Sequence, residues 1–397
     1  MKKILIASFD MEVGGVERSL VSMLENFDYR EYAVDLMLYR QQGDFLNLVS
    51  NKANLLGEIP QYATFRKSIG EVFKDKQYSI GLSRFFSKIN AVLTGEIKRI
   101  AEPGYYQMQL MWKYALPFLP KIAKEYDVAI SYLWPHYFVA EKVKAKKKIA
   151  WIHTDFSKVE TDIKLDLKMW RNFDYIVAVS EACKTSFLNK YSELENKVIV
   201  IENITSPEFI REMANKIVHN PMIEDNRFKI LTVARLSHAK GIDNAVKALK
   251  ILKEKGYHDI AWYVVGYGGD ETRIKEMIKE SKLEDSFILL GKQTNPYPFM
   301  KEADLYVQPS RYEGKAVTVG EAQILSKPVM ITNYTTAKSQ VKDGIDGYIT
   351  ELSIEGIADG TEKLYKDSKL RDNLVENCKN TNFSNRPELK KLYNILN

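Results

Sequence analysis

Short apolar runs alternate with amphipathic stretches along this chain, and they do so in two series separated by a polar lapse. Apolar runs bounded by turn residues read as strands buried on both faces, the usual state of strands in a parallel sheet, and the amphipathic stretches between them read as crossover helices. In the first series the expected strands are 3–9, 33–39, 128–133, 149–153, 175–179 and 197–201, with helices at 16–27, near 139–144 and at 165–173. Residues 202–225 then turn polar and hold Pro207 and Pro221. The second series has strands 228–234, 261–265, 287–290, 305–308 and 329–332, and helices 242–255, 271–281, 297–302 and 317–326. The helix at 242–255 shows an apolar face of Ile242, Ala245, Val246, Leu249 and Leu252 and stops at Gly256. At 397 residues the chain suits two domains of about 150–200 residues each. The pattern predicts two doubly wound α/β domains, 1–205 and 206–397, with ligands at the carboxyl ends of the strands and in the cleft between the sheets. Residues 60–115 are the exception, since they show no such alternation.

Several classes drop out. Cys183 and Cys378 are too far apart to form a ligand-spaced cluster, which excludes a disulfide framework and argues against a cysteine-based zinc site. The five histidines contain no HExxH, and no apolar run reaches the length of a membrane span. The opening residues 2–9 are too short for a signal peptide and run into Asp10 and Glu12, so they are expected to be a first strand and the protein cytoplasmic. The net charge of +6 is too small for the chain length to argue for nucleic acid, and none is expected as a partner.

Five features carry possible chemistry. Gly14 and Gly15 lie between a strand and a helix, where backbone N–H groups can approach a phosphate or sugar; without a ligand they are a tight turn. Arg235 and Lys240 lie beyond a strand end and just before a helix, a placement that suits a diphosphate, or else two solvated cations. Gly266 and Gly268 form a second glycine-rich turn after a strand. Glu313 and Glu321 put one carboxylate in a strand-end loop and the other on the next helix, able to hold a sugar and a ribose through their hydroxyls; the same spacing also fits one loop charge and one exposed helix charge. The turn at Ala316 and Val317 offers backbone donors to a phosphate. His153, at the end of an apolar strand, is either a structural residue or part of a site.

Taken in order, these residues resemble the retaining nucleotide-sugar glycosyltransferases of the GT-B fold, the large bacterial class often called family four. Gly14-Gly15-Val16-Glu17, His153, Arg235 with Lys240-Gly241, Gly266-Tyr267-Gly268 and the stretch from Glu313-Gly314 to Glu321-Ala322 carry the likeness, the last being similar to that class's Glu-x7-Glu signature. The resemblance implies that Glu313 contacts the donor sugar, Glu321 the ribose, and Arg235 and Lys240 the diphosphate. It implies further that Gly14 and Gly15 line the donor, that His153 sits beside the transferred sugar, and that Lys292 and Gln293 border the base. It also implies that the last helix, from about 376, returns to the first domain. Lys315-Ala316 departs from the class, where an aromatic or Leu and then Gly or Pro often come after the first Glu; this bears on donor identity.

The expected reaction is transfer of a hexose or N-acetylhexosamine, with retention, from a UDP-sugar or another nucleotide sugar to a glycan, lipid-linked or phosphate-rich acceptor. His153, Arg235, Lys240 and Glu313 are the catalytic candidates, and Gly314 belongs to the donor loop. No cofactor and no metal are expected, with no Asp-x-Asp site evident, and since no nucleophile is placed for a double displacement, a front-face transfer is expected. Alternatives that share the fold are a nucleotide-sugar epimerase and a non-catalytic partner subunit. A pyridoxal-phosphate phosphorylase has no lysine motif here, and a dinucleotide oxidoreductase lacks the third glycine.

Charge is uneven. Residues 60–150 hold 16 Lys/Arg against 7 Asp/Glu, a local +9, which leaves the remainder at −3. The stretch mixes cations with aromatics at Arg66, Lys67, Arg84, Lys88, Trp112 and Lys113. It reads either as a solvated helical insertion with its own small core or as a surface for acceptor or anionic membrane. On the second reading the protein is peripheral on the inner face of a membrane.

Overall fold

All pairings between named strands are parallel, and the strands form two separate sheets, as expected of chain segments buried on both faces. A computed structural model of the chain describes residues 1–98 and 103–397. The first sheet contains β1 (Lys2–Ser8), β2 (Tyr32–Leu38), β3 (Asn54–Leu55), β4 (Glu125–Ser131), β5 (Lys144–Ile152), β6 (Tyr175–Ala178) and β7 (Val198–Val200), in the order β3-β2-β1-β4-β5-β6-β7. The second contains β8 (Phe228–Val233), β9 (Ile260–Val265), β10 (Phe287–Gly291), β11 (Leu305–Gln308), β12 (Val329–Thr332) and β13 (Tyr348–Thr350), in the order β10-β9-β8-β11-β12-β13. Both are doubly wound, and each reverses direction once: between β1 and β4, and between β8 and β11.

The second sheet shows why its strands read as continuous apolar runs. On β9, Ile260, Trp262 and Val264 enter one core while Ala261, Tyr263 and Val265 enter the other. A fully buried large apolar side chain contributes about 2 kcal/mol, so both faces of the strand favour apolar residues, and its two polar groups, the Trp262 indole N–H and the Tyr263 hydroxyl, are hydrogen-bonded.

The chain divides into two units, residues 1–204 with 385–397, and residues 205–384. The division expected after 205 falls after 204, and the return to the first unit starts at 385 rather than about 376. Helix Ser368–Asn380 stays with the second unit because it buries Leu374 and Cys378 there. Helix Arg386–Leu396 belongs to the first unit: Tyr393 stacks on Tyr32 at 5.4 Å and 9°, and its hydroxyl accepts from the Asp28 N–H at 2.8 Å. The polar lapse at 202–225 also holds a helix, Pro207–Ala214, with Pro207 in its first turn and the Ser206 side chain capping it.

Residues 60–115 fold as helices Pro60–Ala63, Ile69–Lys74, Tyr78–Lys98 and Pro103–Ala115, with 99–102 outside the described residues. A small core of Ala91, Tyr106 and Leu110 joins the two longest of these. Trp112 is not part of a surface. It is fully buried, stacked on Phe65 at 4.0 Å and 6°, and packed on Phe9, Tyr39 and Tyr62, so it ties the helical segment to the first sheet. Arg84 is also drawn inward; its guanidinium donates to the Thr64 carbonyl, and burial pulls its pKa down. Arg66 pairs with buried Asp10 at 3.0 Å and lies over the Phe9 ring, while Lys67 pairs with Asp75 at 2.7 Å. Of the six residues expected to face acceptor or membrane, Lys88 and Lys113 are exposed without an ion pair among the described residues.

Candidate functional site

In the second unit the point of reversal sits between β8 and β11, and the loops leaving their carboxyl ends carry most of the candidate residues. The loop after β8 makes a short turn at His238–Lys240 and passes through Gly241, at φ +65°, into helix Ile242–Glu254. The loop after β11 runs from Pro309 to Ala316 and enters helix Val317–Ile324. A Cβ on Gly241 would lie 2.0 Å from the Pro309 carbonyl oxygen, so the two loops approach as closely as they do because that residue has no side chain. The Arg311 N–H donates to the Ala239 carbonyl at 2.8 Å, and the Arg311 guanidinium to the His238 carbonyl at 2.7 Å.

This stitching brings Lys240 to Glu313. The Lys240 ammonium donates to both carboxylate oxygens, at 2.7 and 2.6 Å. Glu313 also accepts from Ser310 Oγ at 2.6 Å and Gln308 Nε2 at 3.2 Å, and its side chain is 6% exposed against 26% for Lys240. Gln308 in turn accepts from Tyr306 and Thr318 hydroxyls, at 2.8 and 3.3 Å. The result is a continuous polar network that fixes the carboxylate and leaves part of the ammonium open to solvent. Arg235 is exposed in the β8 loop and forms no ion pair among the described residues.

A second pair lies beneath. Arg311 makes a bidentate ion pair with Asp243, at 2.7 and 2.9 Å, and also donates to Asn244 Oδ1. Burial pushes the Asp243 carboxyl up, but the guanidinium overrides it and holds the group below its usual value. Sequence reasoning passed over Asp243, Arg311, Ser310 and Gln308; the signal it had was only their position in the same loops as Lys240 and Glu313.

Glu321 is not an exposed helix charge. It is 1% exposed and accepts from the Tyr297 hydroxyl at 2.9 Å. Gly314, Lys315 and Val317 are half-buried and Ala316 is buried. The Ala316 N–H donates to Gln340 Oε1 at 3.2 Å, so it is already engaged; no side chain caps the helix that follows, Val317–Ile324. Gly266, at φ +153°, and Gly268 have a structural explanation. Their missing side chains admit the Ala234 and Leu236 carbonyl oxygens, which would lie 1.8 and 2.3 Å from added Cβ atoms, and so they seat the β9 loop against the β8 loop. Lys292 lies over the Tyr267 ring at 5.4 Å, and Gln293 donates to the Leu290 carbonyl at 2.9 Å.

The first unit carries the other candidates. Gly14 precedes helix Gly15–Glu25 in an extended conformation, and no atom lies within 4 Å of where a Gly15 Cβ would be. From that helix Ser19 Oγ donates to Asn203 Oδ1 at 2.8 Å and shares a hydrogen bond with the Tyr132 hydroxyl at 2.7 Å. His153 follows β5, with its ring 4.7 Å from that of Tyr132. Its Nε2 has no partner among the described residues, and burial pushes its pKa down to about 3, partly offset by a hydrogen bond with the Tyr132 main chain. His136 behaves alike: Nδ1 bonds to Ser131 Oγ at 2.7 Å, and burial with nearby His153 pushes its pKa down to about 3. Both imidazoles are therefore neutral at pH 7, which leaves His153 Nε2 able to give or take one hydrogen bond but not to supply a cation.

Residues 214–381 match the family model described as glycosyl transferases group 1. The chain is 30% identical over 233 residues to the capsular polysaccharide biosynthesis glycosyltransferase CapM of Staphylococcus aureus, covering 55% of this chain and 61% of that protein. It is 25% identical over 234 residues to the poly(ribitol-phosphate) alpha-N-acetylglucosaminyltransferase of Staphylococcus aureus, covering 56% and 43%. The matched stretches thus span less than two thirds of either relative. Among solved structures, Anabaena HepE in complex with UDP-glucose superimposes with a TM-score of 0.68 at 17% identity, over 99% of this chain and 100% of that one. The fold is that of the GT-B glycosyltransferases.

Proposed function

We propose that this chain, which has the GT-B fold and matches the group 1 glycosyl transferase model over residues 214–381, is a glycosyltransferase that moves a hexose or N-acetylhexosamine from a UDP-sugar to a cell-surface glycan or polymer, with retention and without a metal. The observation that carries the reading is the Lys240–Glu313 pair at the point of reversal of the second sheet, with exposed Arg235 in the same loop. A diphosphate offers the Lys240 ammonium a more highly charged partner than one carboxylate, and Arg235 adds a second cation. Glu313, held by Ser310 and Gln308, is then left to accept hydrogen bonds from sugar hydroxyls. Glu321 is the candidate for the ribose. The cell-wall polymer relatives support the acceptor class, and the alpha linkage in the name of one of them supports retention, because UDP-N-acetylglucosamine is itself alpha-linked.

In the proposed step the acceptor hydroxyl attacks the sugar's anomeric carbon on the face from which UDP departs. The bond from that carbon to the β-phosphate oxygen breaks, the new glycosidic bond forms, and the acceptor proton passes to the departing phosphate oxygen. Lys240 and Arg235 stabilise the charge that develops on the diphosphate. The test is a thermal-shift titration with UDP, GDP and ADP and their sugars, followed by transfer assays with excess chelator. Stabilisation by UDP-sugars and chelator-resistant transfer are expected. Loss of turnover restored by Mn²⁺ or Mg²⁺ would overturn the metal-free reading, and UDP-sugar binding with no transfer to any polymer acceptor would favour a non-catalytic subunit.

A further inference from the structure

Helix Tyr78–Lys98 has two opposite faces, one buried and one open. One face does ordinary work: Ile80, Ser83, Ser87 and Ala91 are buried against the first unit, Ala91 in the small core with Tyr106 and Leu110. The other face is open. Tyr78, Leu82, Phe85, Ile89 and Val92 follow one another at alternating steps of four and three, with Phe86 and Leu93 alongside. All are exposed, from 42% at Ile89 to 60% at Phe86. At 100° per residue they occupy an arc of about 120°. A surface helix normally turns polar residues to water, and a continuous apolar stripe of this length marks a surface that something covers.

We propose that the stripe seats this helix in the interface of an anionic lipid membrane. Charge selects this occupant over a second copy of the chain. No acidic residue occurs between Asp75 and Glu96, and Lys74, Lys76, Lys88 and Lys113 are exposed around the helix. Asp75 is already engaged by Lys67 at 2.7 Å. Two copies pairing through the stripe would bring these lysines together while the neighbouring carboxylates are already engaged, Asp75 by Lys67 and Glu71 by the Ser68 N–H, whereas helix pairs ordinarily balance flanking charges of both signs. Aromatic and aliphatic side chains on one face with lysines at its margins are what an interfacial helix needs to enter the headgroup region of acidic lipid. No helix among the described residues is long and apolar enough to cross a membrane, so the contact is one of lying on the surface.

The test is flotation of the full chain with vesicles of phosphatidylethanolamine containing roughly one third phosphatidylglycerol, against vesicles of phosphatidylcholine. Binding to the anionic vesicles at low salt, weakened by added salt, is expected. Replacing Leu82, Phe85, Phe86 and Ile89 together by Gln should lower the partition coefficient about tenfold or more while leaving the melting temperature in place, since these side chains already face solvent. Lys88→Glu should lower it several-fold through charge alone. Absence of flotation at low salt, or unchanged flotation of the fourfold variant, overturns the proposal. So does a dimer in light scattering that the fourfold variant abolishes, because a second copy would then be the occupant. Flotation needs no donor, so its outcome is independent of the transfer reaction proposed above.

Discussion

Lys240 and Glu313 lie 73 positions apart and meet as an ion pair with both carboxylate oxygens engaged, at 2.7 and 2.6 Å. They meet because β8 and β11 are neighbours in the sheet, although β9 and β10 intervene in the chain. Lys240→Ala is expected to lower kcat about a hundredfold or more and to leave Glu313 without its cation, at about 2 kcal/mol of stability. Steady-state kinetics with a UDP-sugar and urea unfolding measure the two effects separately. Turnover equal to wild type would remove Lys240 from the site.

Glu321→Ala should act on donor binding more than on turnover. A rise of about tenfold in donor KM with kcat changed little is expected if the carboxylate holds a ribose hydroxyl. Tyr297→Phe is the control, since it removes the 2.9 Å bond to Glu321 and keeps the carboxylate. Should both variants raise KM equally, Glu321 would be a positioning residue for the Tyr297 contact.

Gly266 and Gly269 stand three positions apart and should respond oppositely to the same change. Gly266→Ala forces a side chain at φ +153° to within 1.8 Å of the Ala234 carbonyl oxygen, and a loss of about 3 kcal/mol is expected. Gly269→Ala, with no atom within 4 Å of the new methyl, should stay within about 0.5 kcal/mol of wild type. Denaturant midpoints of the two variants decide the matter.

Stability should fall on the acid side because of two imidazoles shielded from water, His136 buried and His153 half-buried. His136 and His153 are held neutral by burial, each with its pKa pushed down to about 3. Once unfolded they take up protons below about pH 6.5, so the unfolded state gains as pH drops from there toward 3. The urea midpoint should therefore decline between about pH 7 and about pH 5. His136→Asn, which can still bond Ser131, should show a shallower decline. An equal slope in the variant would assign the acid sensitivity elsewhere.

Tyr393→Ala should destabilise the first unit by about 2 kcal/mol, through loss of the stack on Tyr32 and the edge contact with Phe27. Tyr393→Phe keeps the ring and gives up only the bond to the Asp28 N–H, so its melting curve should lie close to wild type. Calorimetry that left both variants unchanged would show that the last helix contributes nothing to the first unit.

The two sheets were legible because a strand buried on both faces leaves an unbroken apolar run, as Ile260–Val265 does. Their site was legible in part. Position after a strand marked Arg235, Lys240 and Glu313, but nothing in the order of residues says which charges meet, and Arg311 with Asp243 became visible only once two loops were seen stitched together. Trp112 was misplaced for a different reason. Its neighbour Lys113 is exposed, yet one step along a helix is 100°, which carries Trp112 inward with buried Gln109 and Ala115. Sequence proximity to a cation says little about which way a helical aromatic faces.

The return of helix Arg386–Leu396 to the first unit has a consequence for how the protein is made. Translation proceeds at about 5–20 residues per second, so roughly ten to forty seconds separate the emergence of β7 from that of Tyr393. Throughout that interval the ribosome holds a first unit whose Tyr32 and Phe27 rings have no partner helix. The second unit is finished while the first is still waiting, and the nascent chain completes its earliest-made unit last.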